Sequence, residues 1–160
     1  MTKIYSQQEL AEVIAKLKQE GKKVVTTNGT FDILHLAHVK ILEKANELGD
    51  VLVVLVNSDS SVRENKGPNR PIVPQEERMQ MLASLECVDY VTWFDEQEVV
   101  EPLARLKPSI HAKGGTYIQE RVAKEQEVMK ENKGEWINFE VVEGYSTTNV
   151  IEKVLDVYKK

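Results

Sequence analysis

Thr26-Thr27-Asn28-Gly29-Thr30-Phe31-Asp32-Ile33-Leu34-His35-Leu36-Ala37-His38-Val39-Lys40-Ile41-Leu42-Glu43 is the stretch whose reading decides the fold. The β-branched run Val24 to Thr27 reads as a buried strand, and behind it Val39, Leu42, Ala45 and Leu48 recur at helical spacing. Two of the chain's three histidines, His35 and His38, stand where strand hands over to helix. Asn28 and Gly29 permit a tight turn there. In open α/β sheets, ligands bind beyond the carboxyl ends of the strands, and the free N–H groups of a helix start attract anions. Residues i and i+3 of a first helical turn share a face, so the two imidazoles can aim N–H donors at one anionic group. A single histidine at a helix start is ordinarily a cap or a core residue, and zinc is a second alternative at this spacing. Cys87 is remote and no metalloprotease glutamate follows, so the joint pattern favours phosphate over metal.

Working outward, Ser6 and Glu9 form a capping box, and Leu10, Val13, Ile14 and Leu17 make the apolar stripe of a helix that ends at Gly21. After the histidine helix, which closes at Gly49, Val51 to Val56 is an unbroken apolar run suited to a parallel strand covered on both faces. The polar segment Ser60 to Val73 reads as a mobile loop carrying the cations Arg63, Lys66 and Arg70. A helix follows Pro74 and buries Met79, Leu82 and Leu85. Arg78 in its first turn opposes the helix dipole, which points to an anionic partner. Strands are expected at Val88 to Phe94, Ser109 to Ala112 and around Trp136 to Val142, separated by a short helix that ends at Pro108 and a charged one from Gln119 to Asn132. A last helix carries Val150, Ile151, Val154, Leu155 and Tyr158 on one face. This alternation predicts an α/β fold, a single-domain doubly wound (Rossmann-like) five-stranded parallel sheet with helices on both faces, spanning 1–160 with the 1–21 helix packed on it.

Composition narrows the class. The chain has 160 residues, enough for one sizeable core, and Lys+Arg 21 against Asp+Glu 26 gives a net charge of -5, which argues against general nucleic-acid binding. No apolar run suits a membrane span, no signal core stands at the amino terminus, and one cysteine excludes an internal disulfide. A cytoplasmic protein with neither nucleic acid nor membrane as partner is expected.

The strand ends collect the chemistry. They present Asn57 and Asp59, then Lys113 with Gly114, and finally the hydroxyl cluster Ser146, Thr147 and Thr148 at the last helix start. One hydroxyl is needed as the N-cap, and the others are extra donors for an anion. Lys66, Arg70, Arg78 and Lys113 are the cations available to balance a nucleoside triphosphate.

Gly29-Thr30-Phe31-Asp32-Ile33-Leu34-His35-Leu36-Ala37-His38 resembles the G-x-F-D-x-x-H-x-G-H signature of the cytidylyltransferase-like nucleotidyltransferases, and Ser146-Thr147-Thr148 resembles their second signature, S-T-[ST]. Between them, Asn57-Ser58-Asp59, Lys66-Gly67 with Arg70-Pro71, Glu77-Arg78-Met79 and Lys113-Gly114-Gly115 are similar to the heptose 1-phosphate adenylyltransferase branch. The resemblance runs from about Lys22 to Lys153. It implies transfer of a nucleoside monophosphate from an NTP, ATP or CTP, to a phosphorylated sugar or polyol, with Mg2+ and no protein metal ligands, in a homodimer. It implies catalytic roles for His35, His38 and Lys113. Nucleotide contacts are implied at Asn28, Gly29, Thr30, Phe31, Ala37, Arg78, Gly114, Ser146, Thr147 and Thr148, and substrate contacts at Asp32, Asn57, Asp59, Lys66 and Arg70. Two positions depart from the pattern: Ala37 replaces a glycine, and Thr116 stands where the branch has Asp. Glycerol 3-phosphate cytidylyltransferase is the alternative enzyme, and a nucleotide-binding regulatory module the alternative without turnover.

Overall fold

Strand β1 (Val24–Gly29) pairs along its whole length with β2 (Val51–Asn57) and, on its other side, through Val25 and Thr26 with β4 (Ile110–Gly114). The computed structural model describes residues 3–114, 118–140 and 146–159. With β3 (Tyr90–Phe94) and β5 (Glu135–Phe139) the sheet has five parallel strands in the order β3-β2-β1-β4-β5. The chain steps outward from β1 to β3 and then returns to the other side of β1. The crevice between the carboxyl ends of β1 and β4 is therefore the switch point at which doubly wound sheets bind ligands.

Alternation along β2 shows why the sheet is covered twice. Val51, Val53 and Leu55 pack with α1 (Gln7–Gln19), α5 (Val100–Leu106) and α6 (Gln119–Glu131), while Leu52, Val54 and Val56 pack with α2 (Leu36–Asn46) and α4 (Gln75–Ala83). Burial of each such side chain contributes about 1.5–3 kcal/mol, so a charge is costly on either face. The Ser6 and Glu9 box starts α1 as expected. Ahead of it, Tyr5 N–H donates to Val91 O and Val91 N–H to Lys3 O, which covers the open edge of β3.

Two expectations need correction, and the last helix adds an observation of its own. Ser60 to Val73 is not all loop, because α3 (Asp59–Lys66) occupies its first half. The Ser58 hydroxyl caps it by accepting from Ser61 N–H, and Val62 is its single buried apolar side chain, too weak a periodic signal to read. Strand β4 runs two residues further than expected, so Lys113 and Gly114 lie in register with Asn138 and Phe139 rather than beyond the strand. The stripe of α7 (Thr147–Tyr158) faces solvent, with Val154, Leu155 and Tyr158 exposed. Thr116 and the expected end of β5 at Val142 lie outside the described residues.

At the turn from α2 to β2, Gly49 passes so close to β1 that an added Cβ would stand 2.6 Å from Lys23 O. That carbonyl accepts from both Asp50 N–H and Val51 N–H and cannot move aside. Gly49→Ala is expected to destabilise the protein by about 1–3 kcal/mol, read as a lower urea midpoint with unchanged slope. An unchanged midpoint would show that this approach imposes no constraint.

Candidate active site

Thr27, Asn28, Gly29, Thr30, Phe31, Asp32, His38, Ile41, Lys66, Gly114 and Thr147 line a cavity of about 130 Å³ at the switch point. A second one of about 120 Å³ lies toward α6 and shares Asn28, Thr30 and Lys66 with the first. Its other walls include Asn57, Asn65, Lys113, Arg121 and Glu125.

The paired histidines owe their geometry to the turn before them. Phe31 adopts a left-handed backbone (φ 49) and its ring folds back against Gly29, where a Cβ would sit 3.0 Å from it. The same ring meets His38 edge to face at 5.3 Å, and His38 stacks on His35 at 3.7 Å and 21°. His35 is the extended N-cap residue of α2, and its backbone N–H donates to His38 Nδ1 at 3.4 Å. Nδ1 of His38 is thus an acceptor, and its proton resides on Nε2. Burial, then the neighbouring His35 and Lys66, holds the His38 imidazole down at about 4, and burial lowers His35 as well. At neutral pH the pair is uncharged and offers hydrogen-bond donors rather than cations. His35 Nδ1 and Asn28 Oδ1 are buried without partners among the described residues, an unmet bonding capacity at the cavity.

Among the described residues, the ammonium of Lys66, carried at the end of α3, has no hydrogen bond or ion pair, and it borders both cavities. The other cations are committed. Asp32, 2% exposed, accepts from Arg70 Nε (2.6 Å), Ile72 N–H (2.8 Å) and Val73 N–H (2.8 Å), which latches the segment after α3 to the β1 turn. Arg78 is wholly buried, and its guanidinium donates to Val73 O, Thr30 O, Asn57 O and Asp59 Oδ1. The expected nucleotide contact from Arg78 does not fit this position, since its anionic partner is Asp59. Arg70 and Asp59, expected at the substrate, are likewise engaged with Asp32 and Arg78. Lys113, expected on phosphate, donates to Glu125. Of the hydroxyl cluster, Ser146 caps α7 through Asn149 N–H, Thr147 reaches the cavity and Thr148 is exposed. Ala37 is buried in the first turn of α2 and does not line the cavity.

Asn65, Arg121 and Glu125 were not legible as site residues. The available signal was Glu125, a carboxylate at a core position of α6 beside Val122, Val128 and Met129. Among the described residues no group of three or more His, Cys, Asp or Glu could hold a metal ion.

Two outcomes follow from this geometry. Nitrogen-detected NMR should show His38 as the Nε2–H tautomer, titrating near pH 4. Between about 6.5 and about 4 the unfolded chain binds a proton that folded His38 refuses, so stability falls as pH drops through that window, and His38→Asn should flatten that part of the slope. For the latch, burial raises the Asp32 carboxyl, but the Val73 and Ile72 N–H groups and Arg70 outweigh it and hold it below the usual range. Its contribution is complete above the unfolded carboxylate pKa and is lost as pH falls through the lower, folded one. Asp32→Asn should speed amide exchange at Ile72 and Val73 by roughly tenfold or more, as expected for losing about 1.5–3 kcal/mol per charged hydrogen bond. Wild-type exchange rates there would mean the latch holds nothing.

Comparison with known proteins gives a consistent picture. Residues 26–153 match the family model described as Cytidylyltransferase-like. The bifunctional protein HldE of Syntrophotalea carbinolica is 44% identical over 159 residues, 99% of this chain and 32% of that protein. The HldE of Klebsiella pneumoniae is 44% identical over 151 residues, 94% of this chain and 31% of that protein. This chain thus spans about a third of the length of these relatives. Among solved structures, the lipopolysaccharide core biosynthesis protein of Thermoplasma volcanium has a TM-score of 0.64 at 29% identity, covering 79% of this chain and 100% of that one. Pantoate-beta-alanine ligase of Francisella tularensis, with a TM-score of 0.60 at 15% identity, covers 99% of this chain and 78% of that one and shares the fold alone.

Proposed function

The chain belongs to the cytidylyltransferase-like family, and from that membership we propose that it transfers a nucleoside monophosphate from an NTP, ATP in the first place, to a sugar phosphate such as heptose 1-phosphate, releasing pyrophosphate. The observation that carries this reading is the uncharged, stacked His35 and His38 pair at the end of β1 beside the unpartnered Lys66. A phosphate oxygen of the acceptor attacks the α-phosphorus in line and pyrophosphate leaves, so no protein nucleophile is required. The chain's task is then positioning and charge stabilisation. His38 donates from Nε2–H to a phosphate oxygen on which charge builds, and its neutrality keeps that donor in place across physiological pH. His35 completes the pair, and the Lys66 ammonium neutralises charge between the two cavities. Thr147 and the N-terminus of α7 hold the outer phosphates.

Mg2+ would arrive on the nucleotide and screen its phosphates. The residues suit an ion carried by phosphate oxygens, because Asp32 in the first cavity is taken by Arg70, and Glu125 and Glu98 in the second are taken by Lys113 and by Arg121 with Lys124. We place the activity in one nucleotidyltransferase domain, acting in the cytoplasm as a homodimer. No helix among the described residues is long and apolar enough to cross a membrane.

Pyrophosphate release, measured for ATP and CTP against heptose 1-phosphate and glycerol 3-phosphate, should be largest for ATP with heptose 1-phosphate. His38→Ala should lower kcat by at least about a hundredfold, corresponding to the roughly 3 kcal/mol of one lost transition-state donor. Release with CTP and glycerol 3-phosphate alone would move the chain to the cytidylyltransferase alternative. Silence with every pair would leave a binding module.

A further inference from the structure

The floor of the second cavity is an ion pair. Lys113, at the end of β4, donates to Glu125 of α6, with side-chain exposures of 17% and 3%. The other oxygen of Glu125 accepts from Trp136 Nε1 at 3.1 Å, and His111 Nε2 stands 4.0 Å from it. His111 is fixed from behind by the Thr26 hydroxyl at 2.9 Å. Both carboxylate oxygens thus accept from Lys113 or Trp136, and Glu125 stands in the cavity wall bonded to Lys113 beside it.

This arrangement changes what Lys113 can do. An ammonium beside a buried carboxylate carries little net charge toward a phosphate, yet among the described residues only one of its three N–H donors is used. The walls around it include neutral groups that both donate and accept, Asn28, Thr30, Asn57 and Gln97, while the guanidinium of Arg121 in the same wall is engaged with Glu98 and Asn65. Asn28 Oδ1 is buried without a partner among the described residues. Amides, a hydroxyl and a charge-balanced ammonium are the groups that bind hydroxyls, whereas Lys66 next to them is the cation suited to phosphate. A site built to hydrogen-bond a hydroxyl discriminates against analogues lacking it, because its own polar groups are then left unpaired.

We infer that Lys113 is a specificity-determining residue that reads hydroxyl groups of the phosphate acceptor, and that Glu125 is the positioning residue that aims it and removes its pull on phosphate. The inference rests on the proposed transfer to a phosphorylated acceptor and assigns the part of the site that selects it.

Calorimetric titration of the whole chain, with Mg2+ and a non-hydrolysable ATP analogue present, tests this with D-mannose 1-phosphate and cyclohexyl phosphate. These share ring size and phosphate and differ in hydroxyls. The wild-type protein should prefer the sugar phosphate by at least about tenfold, and Lys113→Met should bring the ratio to within about threefold. Glu125→Gln, which keeps an acceptor for Trp136 Nε1, should collapse the ratio in the same way, and it decides alone if Lys113→Met does not fold. Three results overturn the inference: no wild-type preference, a ratio unchanged in the variants, or equal weakening of both ligands by Lys113→Met, which would mark a phosphate contact. The two readings fail separately. A preserved preference without pyrophosphate release sinks the transfer reaction and leaves the recognition site standing.

Discussion

The buried guanidinium of Arg78 is the constraint from which the rest of the site hangs. It draws together Thr30 O after β1, Asn57 O at the end of β2, Val73 O before α4 and the Asp59 carboxylate that opens α3. Taking such a charge out of water is costly, and only a planar fork of donors with every partner in place repays it. Removing one partner of a buried pair typically costs about 3–5 kcal/mol, so these four segments keep their relative positions or the region does not form. Asp32 repeats the arrangement with reversed sign, gathering Arg70 and the N–H groups of Ile72 and Val73.

With two arginines absorbed in this scaffold, the electrostatics of the cavity differ from a simple count of cations. Among the described residues Lys66 is left as the uncommitted charge beside it, and the histidines next to it are neutral because burial disfavours the charged form of both, with His35 and Lys66 adding to the effect at His38. A strongly cationic pocket would hold a triphosphate tightly in the ground state. Neutral donors on rigid elements instead gain most where charge develops during reaction, which is the useful place for binding energy. The packing of His38 between the edge-to-face Phe31 ring and the stacked His35 supplies the rigidity, and the left-handed Phe31 and the bare Gly29 beneath its ring make that packing possible.

The doubly wound sheet was legible because its evidence is local. Apolar runs such as Val51 to Val56, helical stripes such as Leu10 and Ile14, and the Ser6 and Glu9 box each report on their own element. Helix α3 has no such local signature, because the stabilisation of this polar helix comes from a cap, one buried valine and contacts with distant backbone, as when Ser61 Oγ donates to Glu96 O. The exposed face of α7 carries the opposite lesson: its apolar spacing announces a helix but does not say what, if anything, covers it.

By itself, the amino-acid sequence determined the parallel α/β class, the pairing of His35 with His38 at a strand end and the candidate chemistry of phosphate, since residue type, periodicity and short-range spacing settle these. Only the tertiary structure decided which charges remain available. Arg78 and Asp59, Arg70 and Asp32, and Lys113 and Glu125 are separated by 19, 38 and 12 positions in the chain. Whether an ionic side chain meets a ligand or an opposite charge of its own protein depends on partners that folding brings within hydrogen-bonding distance, and no local pattern encodes that choice.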